Sequence, residues 1–547
     1  MNDPNLSTDI NVREAPEREV LYTSGKTIYV EALTADRWVA RYWNAGGRVN
    51  HADERACDDA FQLQIDGERL SAGWQWMTAD EDSRPNRGAR HFVVELANQI
   101  RPINVKIHTL LDGTPVLTRW LEIFNRADKT VALTDISPWS GVLWSAMPGN
   151  TSNIQTFTLG YFTKSDWAWE GWFDWRALPD GTTVIRCVRG QGHDDPFFIV
   201  RNETKGEYFI GHLAWSANWQ MAFERKPGDS ESHLVRPAEG LEFKIGPSAE
   251  NVHRTIASGE TIHTPAVHLG HVEGDLDTTV QAMHDHLRRF VLPIREPQRS
   301  CLVQVVVPGD QGYLTVKEDD DTAYLFDETN VRHAIDVAAA VGAELFILDA
   351  CWWDVPGDWC PSATRFPNGI KPIREYARQK QLLFGLYVEM EGGRGPMHES
   401  KLGREHPDWL GPKGILNLTN PEAAEWMEKD ICRVIDEYQP DLYRLDYNPL
   451  FTFEGPSTLR DGCTENNYWR YYEAFYAIYE RIAKKYPKLI LQQCAAGGAR
   501  NDLGTASRFH ETYLTDGLWM PHVLQVYSGL TLGLPPEVFV TAIGAPG

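Results

Sequence analysis

The sequence predicts a multi-domain β plus α/β protein, in which a large antiparallel β-sandwich precedes a (β/α)8-type TIM barrel. Short β-branched and aromatic runs, separated by Gly, Asp, Asn and Pro turns, fill residues 20–275, as is typical of a sandwich. Beyond residue 300 apolar strands alternate with amphipathic helices, which indicates a parallel sheet. The first of these strands is not followed by a Gly-x-Gly-x-x-Gly turn, and this favours a barrel over a dinucleotide-binding fold.

Length and composition agree with two large units. A chain of 547 residues is too long for one hydrophobic core, and its hydrophobic fraction of 42% and charged fraction of 24% are those of a globular protein. We place the sandwich at residues 1–290, a proline-containing linker at 291–300 and the barrel at 301–547.

Individual elements follow from the hydrophobic period. In the sandwich the clearest strands are Thr27 to Ala32, Val105 to Leu110 and Tyr208 to Leu213, and a helical pattern covers 277–290. In the barrel the predicted strands are 302–307, 345–348, 383–388, 442–445 and 489–493, and the predicted helices are 329–341, 370–379, 421–437 and 466–485.

The end of the chain limits the barrel. Only 31 residues follow Asp516, which leaves room for about one helix and one strand. We therefore expect the barrel to stop near its seventh strand and to lack a C-terminal β-domain. Because an incomplete barrel exposes two sheet edges, we expect a fragment or a chain that needs a partner.

Charge and targeting signals exclude several function classes. The chain carries 53 basic and 76 acidic residues, and a net charge of −23 repels nucleic acid and anionic membranes. The first ten residues lack the basic and apolar regions of a secretory signal, so the cytoplasm is the default location. Eight scattered cysteines show no metal-binding spacing, and His193-Asp-Asp195 has the character of a solvated turn. We predict no cofactor and no metal.

Two carboxylates, Asp446 and Asp516, are the strongest functional signal. Each comes at or just after the end of a short apolar run that is typical of a buried strand. The carboxyl ends of parallel barrel strands open onto one face, so the two side chains can meet there. A carboxylate pair at such a face indicates cleavage of a glycosidic bond. Taken singly, a helix N-cap for Asp446 and a turn residue for Asp516 are the alternatives.

A series of short motifs lies at the predicted strand ends. They are Asp349-Ala-Cys-Trp352, Gly357-Asp358-Trp359, Glu389-Met-Glu391, Arg444-Leu-Asp446-Tyr-Asn448 and Cys494-Ala-Ala-Gly497-Gly498-Ala-Arg500. In this order and spacing they resemble glycoside hydrolase family 36, the α-galactosidase and α-N-acetylgalactosaminidase group. The resemblance is sharpest over residues 300–520 and looser through the sandwich.

The resemblance implies a retaining mechanism in which Asp446 is the nucleophile and Asp516 the acid and base. An ionised Asp446 calls for a neighbouring cation, for which Arg444 and Arg500 are candidates. A protonated Asp516 calls for a less polar setting, which Trp519 could supply.

Eleven further residues are predicted to bind substrate: Asp349, Trp352, Asp358, Trp359, Glu389, Arg444, Asn448, Cys494, Gly497, Gly498 and Arg500. Asp349 is expected to bind sugar hydroxyls, with a loop cap as the alternative. The two tryptophans offer faces for a pyranose, with barrel packing as the alternative. The two glycines allow close approach of a sugar or form a tight turn. Arg500 can bind sugar hydroxyls or a carboxylate, and Glu389 or Glu391 can orient Arg444 or Arg500.

Three departures from the family pattern bear on specificity. The family's Asp-Asp-Gly-Trp is Asp349-Ala-Cys-Trp352 here, and its nucleophile-motif lysine is Arg444. The first strand also lacks the family's Asn-Trp-Glu ending. A hydroxyl that loses a carboxylate partner binds less well by about 1–3 kcal/mol. These changes suggest a modified or different α-glycoside as substrate.

A tryptophan cluster runs from Trp167 to Trp175 in the sandwich. The alternation of Trp167 and Trp169 predicts one buried face of a strand. The alternative is a loop that reaches over a barrel mouth, in this family that of a neighbouring subunit, and stacks on an aglycone sugar. The resemblance therefore also allows a homo-oligomer.

These observations favour a retaining, exo-acting α-glycosidase, most similar to an α-galactosidase, that acts on an oligosaccharide or another α-glycoside. A transglycosylase of the raffinose-synthase kind shares the covalent intermediate and differs in its acceptor. A non-catalytic carbohydrate-binding protein is the alternative from another class.

Overall fold

The predicted order of the two units is confirmed. The computed structural model describes residues 6–47, 58–83, 87–144, 156–188, 195–226, 240–307, 326–350, 352–392, 397–448 and 456–541. An antiparallel, β-rich unit comes first, and a curled parallel sheet with helices follows it.

The first unit is built almost entirely of strands. In chain order they are β1 (Thr8–Arg13), β2 (Arg18–Ser24), β3 (Thr27–Thr34), β4 (Arg37–Asn44), β5 (Asp58–Asp59), β6 (Gln62–Ile65), β7 (Glu68–Arg69), β8 (Trp74–Asp82), β9 (Arg90–Asn98), β10 (Ile103–Leu111), β11 (Val116–Asn125), β12 (Val131–Ser137), β13 (Trp139–Trp144), β14 (Phe157–Asp166), β15 (Trp169–Ala177), β16 (Gly181–Cys187), β17 (Phe197–Asn202), β18 (Glu207–Leu213), β19 (Trp219–Lys226), β20 (Gly240–Pro247), β21 (Arg254–Ile256), β22 (Thr261–His263) and β23 (Val267–Glu273).

Antiparallel pairing arranges these strands in four sheets. The largest has the order β15-β14-β17-β18-β23-β11-β10-β9-β8, with β22 beside β11. The second has the order β1-β2-β3-β4-β5, and two smaller sheets have the orders β21-β12-β6-β7 and β13-β20-β19-β16. Alternation sets the faces: Ile103, Val105 and Ile107 of β10 are all fully buried, as the period of two requires. The β14–β15 hairpin forms one edge of the largest sheet.

A charged pair lies inside this aromatic core. Arg119 donates to Glu31 across 2.7 Å, and neither side chain is exposed. Tyr22 and Tyr29 donate their hydroxyls to the same carboxylate at 3.0 and 3.2 Å, and the guanidinium lies 4.6 Å from the Trp139 ring centroid. Neighbouring donors and a ring face therefore compensate much of the cost of burying both charges.

The second unit is a parallel sheet of the order β24-β25-β26-β27-β30-β31-β32 within the described residues. Its strands are β24 (Gln304–Val307), β25 (Leu345–Leu348), β26 (Leu383–Val388), β27 (Leu442–Leu445), β30 (Ile490–Gln493), β31 (Glu511–Tyr513) and β32 (Phe539–Val540), and β28 (Ser457–Arg460) pairs with β29 (Cys463–Asn466) as a separate hairpin. The expected seventh strand is thus β32.

Helices connect the strands close to the predicted positions. They are α1 (Leu276–His286), which continues as a π-helical turn over Leu287–Val291, and then α2 (Glu328–Ala340), α3 (Lys371–Gln379), α4 (Lys401–Glu405), α5 (Pro421–Tyr438), α6 (Tyr468–Lys485), α7 (Leu503–Ala506) and α8 (Met520–Leu530). Short 3₁₀ turns cover Pro297–Arg299, Met397–Glu399, Pro407–Trp409, Pro412–Gly414 and Pro536–Val538. Helix α5 carries the sequence signals that made its start predictable: Asn420 caps the first turn, and Pro421 occupies the first helical position.

Polar contacts fix the sandwich against the barrel. The buried Glu465 carboxylate accepts bonds from the Thr255 amide and hydroxyl at 2.6 and 2.7 Å. Ser216 donates to Asp502 at 2.6 Å, and a His212 ring nitrogen lies 2.8 Å from the Gly533 carbonyl oxygen. These bonds join the two units at three separate places. Among the residues that the structure describes, no helix has the length and apolar character needed to cross a membrane.

We expect Arg119→Met to lower the melting temperature by roughly 5–10 °C, because Glu31 would stay buried without its cation at a cost of about 3–5 kcal/mol. Circular dichroism against temperature measures this. Lys429→Ala removes a surface pair between exposed side chains and should leave the melting temperature unchanged. The double variant with Glu31→Gln should recover part of the loss, whereas equal melting of Arg119→Met and Lys429→Ala would contradict the prediction.

Candidate active site

Four polar side chains follow directly after four neighbouring strands of the parallel sheet. Asp349 follows β25, Glu389 follows β26, Asp446 follows β27 and Cys494 follows β30. The ladder continues through them, because the Asp446 amide donates to Val388 at 2.9 Å and the Cys494 amide to Leu445 at 2.7 Å. Their side chains therefore lie in one layer at the carboxyl edge, as expected for a barrel mouth.

Asp446 is a buried carboxylate surrounded by donors. Tyr387 donates its hydroxyl to Oδ2 at 2.7 Å, and the Asn448 amide donates to the same oxygen at 2.8 Å. The backbone amides of Tyr447 and Ala496 donate to Oδ1 at 2.7 and 3.1 Å. Four donors and 4% exposure suit an ionised carboxylate in a fixed orientation. The helix N-cap alternative does not apply, because Tyr447 and Asn448, the described residues that follow Asp446, are not helical.

Glu389 belongs to the same hydrogen-bond network. Its Oε1 accepts from the Tyr387 hydroxyl and from the Asn448 amide, both at 2.5 Å. Tyr387 and Asn448 thus connect two buried carboxylates, Glu389 and Asp446. The two N–H groups of Asn448 can serve one carboxylate each, whereas the single Tyr387 hydroxyl proton goes to either Glu389 or Asp446 at a given moment.

Arg444 lies beside Asp349. Its Nε is 3.6 Å from the Asp349 carboxylate, and its other nitrogens donate to Gln492 at 3.1 Å and to the Cys494 sulfur at 3.5 Å. Its guanidinium covers the Tyr513 ring at 4.3 Å. Asp349 also caps its own loop by accepting from the Ala350 amide at 2.8 Å. The predicted cation near the mouth is therefore present, and the carboxylate nearest to it is Asp349.

Arg500 occupies a different place from the predicted one. It is 1% exposed and makes two bonds of 2.8 Å to Glu391, and its guanidinium stacks on Tyr447 at 4.0 Å. Of the two expected partners the structure selects a carboxylate, and Glu391 is the residue that orients this arginine. The expectation that Arg500 contacts sugar is corrected: it supports Tyr447, the residue after Asp446, from behind.

Asp516 follows β31 and meets the sandwich. The indole nitrogen of Trp167 donates to Oδ2 of Asp516 at 2.9 Å. Trp167 and Trp169 are 55% and 48% exposed, so the expectation of a buried strand face is wrong and a loop over the barrel mouth is found. Trp519, which we expected to shield Asp516, is itself 64% exposed. The tryptophan that contacts Asp516 is instead Trp167, in the turn of the β14–β15 hairpin, and it acts as a hydrogen-bond donor.

Glu170 is a site residue that the sequence analysis missed. It lies next to this turn and is 1% exposed. Its carboxylate accepts from the Gly498 amide at 3.2 Å, from the Ala168 amide at 3.3 Å and from the Thr515 hydroxyl at 2.6 Å. Burial raises the pKa of Glu170 to about 7, although these bonds oppose the rise, and the charge of Asp516 adds to it. Its only sequence signal was one carboxylate within an aromatic strand.

The two glycines are explained by these neighbours. At Gly497, with φ +83°, a Cβ would lie 2.7 Å from Glu170 Oε1 and 2.9 Å from the Asp516 nitrogen. At Gly498 a Cβ would lie 2.2 Å from the Leu514 carbonyl oxygen. Close approach of the hairpin and of the segment after β31 therefore requires glycine at both positions, in agreement with the tight-turn alternative. Contact of these glycines with a sugar stays a prediction.

Three other predicted contacts lie elsewhere. Trp352 and Trp359 are fully buried, and Trp352 donates its indole N–H to the Tyr387 carbonyl at 2.7 Å. The stacking interpretation is therefore corrected to barrel packing, since neither face is open. Asp358 accepts from the Lys401 amide at 2.7 Å, an exposed contact at the start of α4. It caps that helix region and is not part of the layer that holds Asp446.

The Cys494 thiol lies in the same layer as Asp446, and surrounding charges affect its pKa. It is 1% exposed, and burial raises its pKa well above the usual value. The negative charges of Asp446 and Asp516 both add to the rise, while Arg444 opposes it. One buried side chain thus lies within electrostatic range of both carboxylates. Among the described residues, no group of three or more His, Cys, Asp or Glu is arranged to hold a metal ion.

Comparison with known proteins gives a consistent assignment. The family described as Melibiase matches residues 261–545, and the glycosyl hydrolase family 36 N-terminal domain matches residues 77–244. An alpha-galactosidase of Escherichia coli is 26% identical over 63% of this chain and 47% of its own length. Alpha-galactosidase Mel36A of Lactobacillus acidophilus is 22% identical over 86% of this chain and 62% of its own length. The chain thus spans less than two thirds of either relative.

Solved structures agree on the fold. The GH36 alpha-galactosidase AgaA of Geobacillus stearothermophilus superposes with a TM-score of 0.80 at 18% identity, over 96% of this chain and 79% of that one. Variants of that protein have been crystallised with raffinose and with stachyose. The alpha-galactosidase of Lactobacillus brevis superposes with a TM-score of 0.79 over 97% of this chain and 77% of that one.

We expect Gly497→Ala to destabilise the protein more than Gly181→Ala. Both positions have a positive φ, +83° and +88°, so both variants carry backbone strain of about 1–2 kcal/mol. Only at Gly497 does the new methyl group meet Glu170 and Asp516, whereas nothing lies within 4 Å at Gly181. Thermal unfolding followed by circular dichroism compares the two. Equal melting temperatures would show that the turn can move away from the hairpin at little cost.

Proposed function

Because this chain belongs to the Melibiase family and carries a glycosyl hydrolase family 36 N-terminal domain, we propose that it is a retaining, exo-acting α-glycosidase of the α-galactosidase kind. The observation that carries the proposal is that Asp446 and Asp516 come after two strands of one parallel sheet and meet the same turn. The Ala496 amide donates to Asp446 Oδ1 at 3.1 Å, and a Cβ at Gly497 would lie 2.9 Å from the Asp516 nitrogen. Its substrate is an oligosaccharide that ends in an α-linked galactose or a related sugar.

Asp446 supplies the nucleophile of this mechanism. The Tyr447, Ala496 and Asn448 N–H groups hold the carboxylate in a single orientation. When the Tyr387 hydroxyl donates to Glu389, a lone pair of Oδ2 is free to face the anomeric carbon of a bound sugar. Attack forms a glycosyl ester and breaks the bond to the leaving oxygen. Attack by water on the ester then inverts the same carbon again, so the product keeps the α configuration.

Asp516 supplies the proton and later takes one from water. In the first step its carboxyl protonates the departing oxygen, and in the second its carboxylate receives a proton of the attacking water. The indole of Trp167 donates to Oδ2, which supports the ionised state that follows the first proton transfer. The same exposed ring borders the side from which the leaving group departs, where an aglycone sugar can stack.

Asp349, Arg444 and Asn448 are the groups placed to bind the glycone. Asp349 and Arg444 lie 3.6 Å apart beside the nucleophile layer, and Asn448 is bonded to Asp446 itself. Ala350 is fully buried where the family pattern has a second carboxylate, so one hydroxyl of galactose has one acceptor fewer. We infer that an α-galactoside binds here less tightly than the family pattern would give, by about 1–3 kcal/mol.

We expect the chain to release nitrophenol from an aryl α-galactoside and Asp446→Ala to abolish this activity, by at least about a thousandfold, since no ester can form. Asp441→Ala is the matched control, because Asp441 lies at the opposite end of the same strand. Proton NMR of the first sugar released should show the α anomer. Wild-type protein that is folded and inert, or that releases the β anomer, would contradict the proposal.

We expect Asp516→Ala to lose most activity on substrates whose leaving group must be protonated as it departs. For phenyl α-galactoside, a poor leaving group, kcat/KM should fall by about a thousandfold, whereas for dinitrophenyl α-galactoside it should change little. Initial rates with both substrates measure this ratio. Asp446→Ala provides the contrast, since it should fail with both. An equal loss on both substrates in Asp516→Ala would remove Asp516 from the acid role.

A further inference from the structure

Glu170 is a buried carboxylate to which the proposed chemistry gives no role. It is 1% exposed, and its three donors come from two parts of the chain that are far apart in sequence. Ala168 belongs to its own hairpin, while Gly498 and Thr515 belong to the loops after β30 and β31. A carboxylate buried between two domains is costly unless its bonds are made, and here they are made to the barrel mouth.

The barrel partners of Glu170 are the backbone neighbours of Asp516. Thr515 directly precedes Asp516, and its hydroxyl oxygen also accepts from the Gly517 amide at 3.1 Å. The Glu170 bond to Thr515 therefore fixes both sides of Asp516. The bond to the Gly498 amide fixes the glycine turn against which the Asp516 nitrogen packs.

The same hairpin also holds the Asp516 side chain. Trp167 is three residues before Glu170, and its indole donates to Oδ2 of Asp516 at 2.9 Å. Close packing secures this hairpin on the barrel: a Cβ at Gly529 of α8 would lie 1.8 Å from the Gly171 carbonyl oxygen. In addition, the Trp169 ring meets the His522 ring at 4.8 Å between centroids. Trp167 can therefore point at Asp516 only while this hairpin stays docked.

We propose that Glu170 is a positioning residue for Asp516, which fixes the segment Thr515 to Gly517 and the Trp167 indole in one geometry for proton transfer. This inference rests on the proposed function, since it assigns Glu170 to the acid and base step of that same site. It adds a second residue of the sandwich, beside Trp167, to a mechanism whose two reacting carboxylates lie on the barrel.

The alternative is that Glu170 only fastens the two domains. Glu465 is an example of a residue that only joins the two domains. It is fully buried and accepts bonds from the Thr255 amide and hydroxyl, and none of these contacts involves the loops that hold Gly498 and Thr515. Both glutamates are buried, and both form hydrogen bonds between the two domains. They differ in that the partners of Glu170 flank Asp516, so the two roles make different predictions.

Loss of positioning should affect the step that needs the proton. A displacement of about 1 Å at a reacting group can cost about a hundredfold in rate. A good leaving group departs without protonation, so formation of the ester from it should tolerate a misplaced Asp516. A merely structural loss would lower activity toward both kinds of substrate alike.

The experiment compares Glu170→Ala, Glu170→Gln and Glu465→Ala with the wild type. We expect Glu170→Ala to lower kcat/KM about a hundredfold for phenyl α-galactoside and less than about threefold for dinitrophenyl α-galactoside. Glu170→Gln keeps an acceptor for the Gly498 amide and a polar group for Thr515, so it should recover most of the loss. Glu465→Ala should lower the melting temperature without changing the ratio between the two substrates.

Hydrogen exchange gives a readout that is independent of turnover. In folded Glu170→Ala the amides of Gly498 and Gly517 should exchange faster than in the wild type, and in Glu465→Ala they should not. Equal loss on both substrates, no rescue by Glu170→Gln, or unchanged exchange at these amides would each overturn the positioning role while the proposed function stands. A folded wild type that is inert toward both substrates would instead overturn the proposed function, and the positioning role with it.

Discussion

Charge that is buried at the barrel mouth must be paired, and this constraint organises the whole site. Asp446 is met by four donors, Glu391 by Arg500, and Asp349 by Arg444. Loss of one partner leaves an uncompensated buried charge, which costs far more than the pair itself contributes. Tyr387 and Asn448 then join separate pairs into one network, so the orientation of each carboxylate depends on its neighbours.

The same constraint explains why the sandwich is needed at the mouth. Thr515 and its partner Glu170 are 345 residues apart in sequence, yet 2.6 Å separates their oxygens. On the barrel alone, the Thr515 hydroxyl and the Gly498 amide would lack this acceptor. The two domains therefore share one polar centre next to Asp516, and the positioning role proposed for Glu170 rests on it.

Much of this arrangement could be predicted from local patterns. The spacing of hydrophobic residues predicted the barrel strands and helices close to their observed bounds. The predicted strand ends then indicated where Asp349, Asp446 and Asp516 lie. The surroundings of side chains that belong to no periodic pattern could not be predicted from the sequence. A tryptophan ring suits a sugar-binding pocket and a hydrophobic core equally well, so the sequence could not decide between them for Trp352 and Trp359. The structure shows that both rings are buried in the core. The position of Glu170 in the site depends on bonds to Gly498 and Thr515, which are so distant in sequence that no short sequence pattern reveals them.

The exposed hairpin that carries Trp167 and Glu170 has an evolutionary consequence. The strand Trp169–Ala177 packs closely on α8 at Gly171, but the side chain of Trp167 in the turn is exposed, and exposed turns tolerate substitutions better than barrel strands do. Here the turn of such a hairpin borders Asp516, so mutations that accumulate in the sandwich can alter leaving-group preference while the barrel sequence stays the same. Lineages with the same barrel could thereby diverge in substrate range by exchanging one short surface segment.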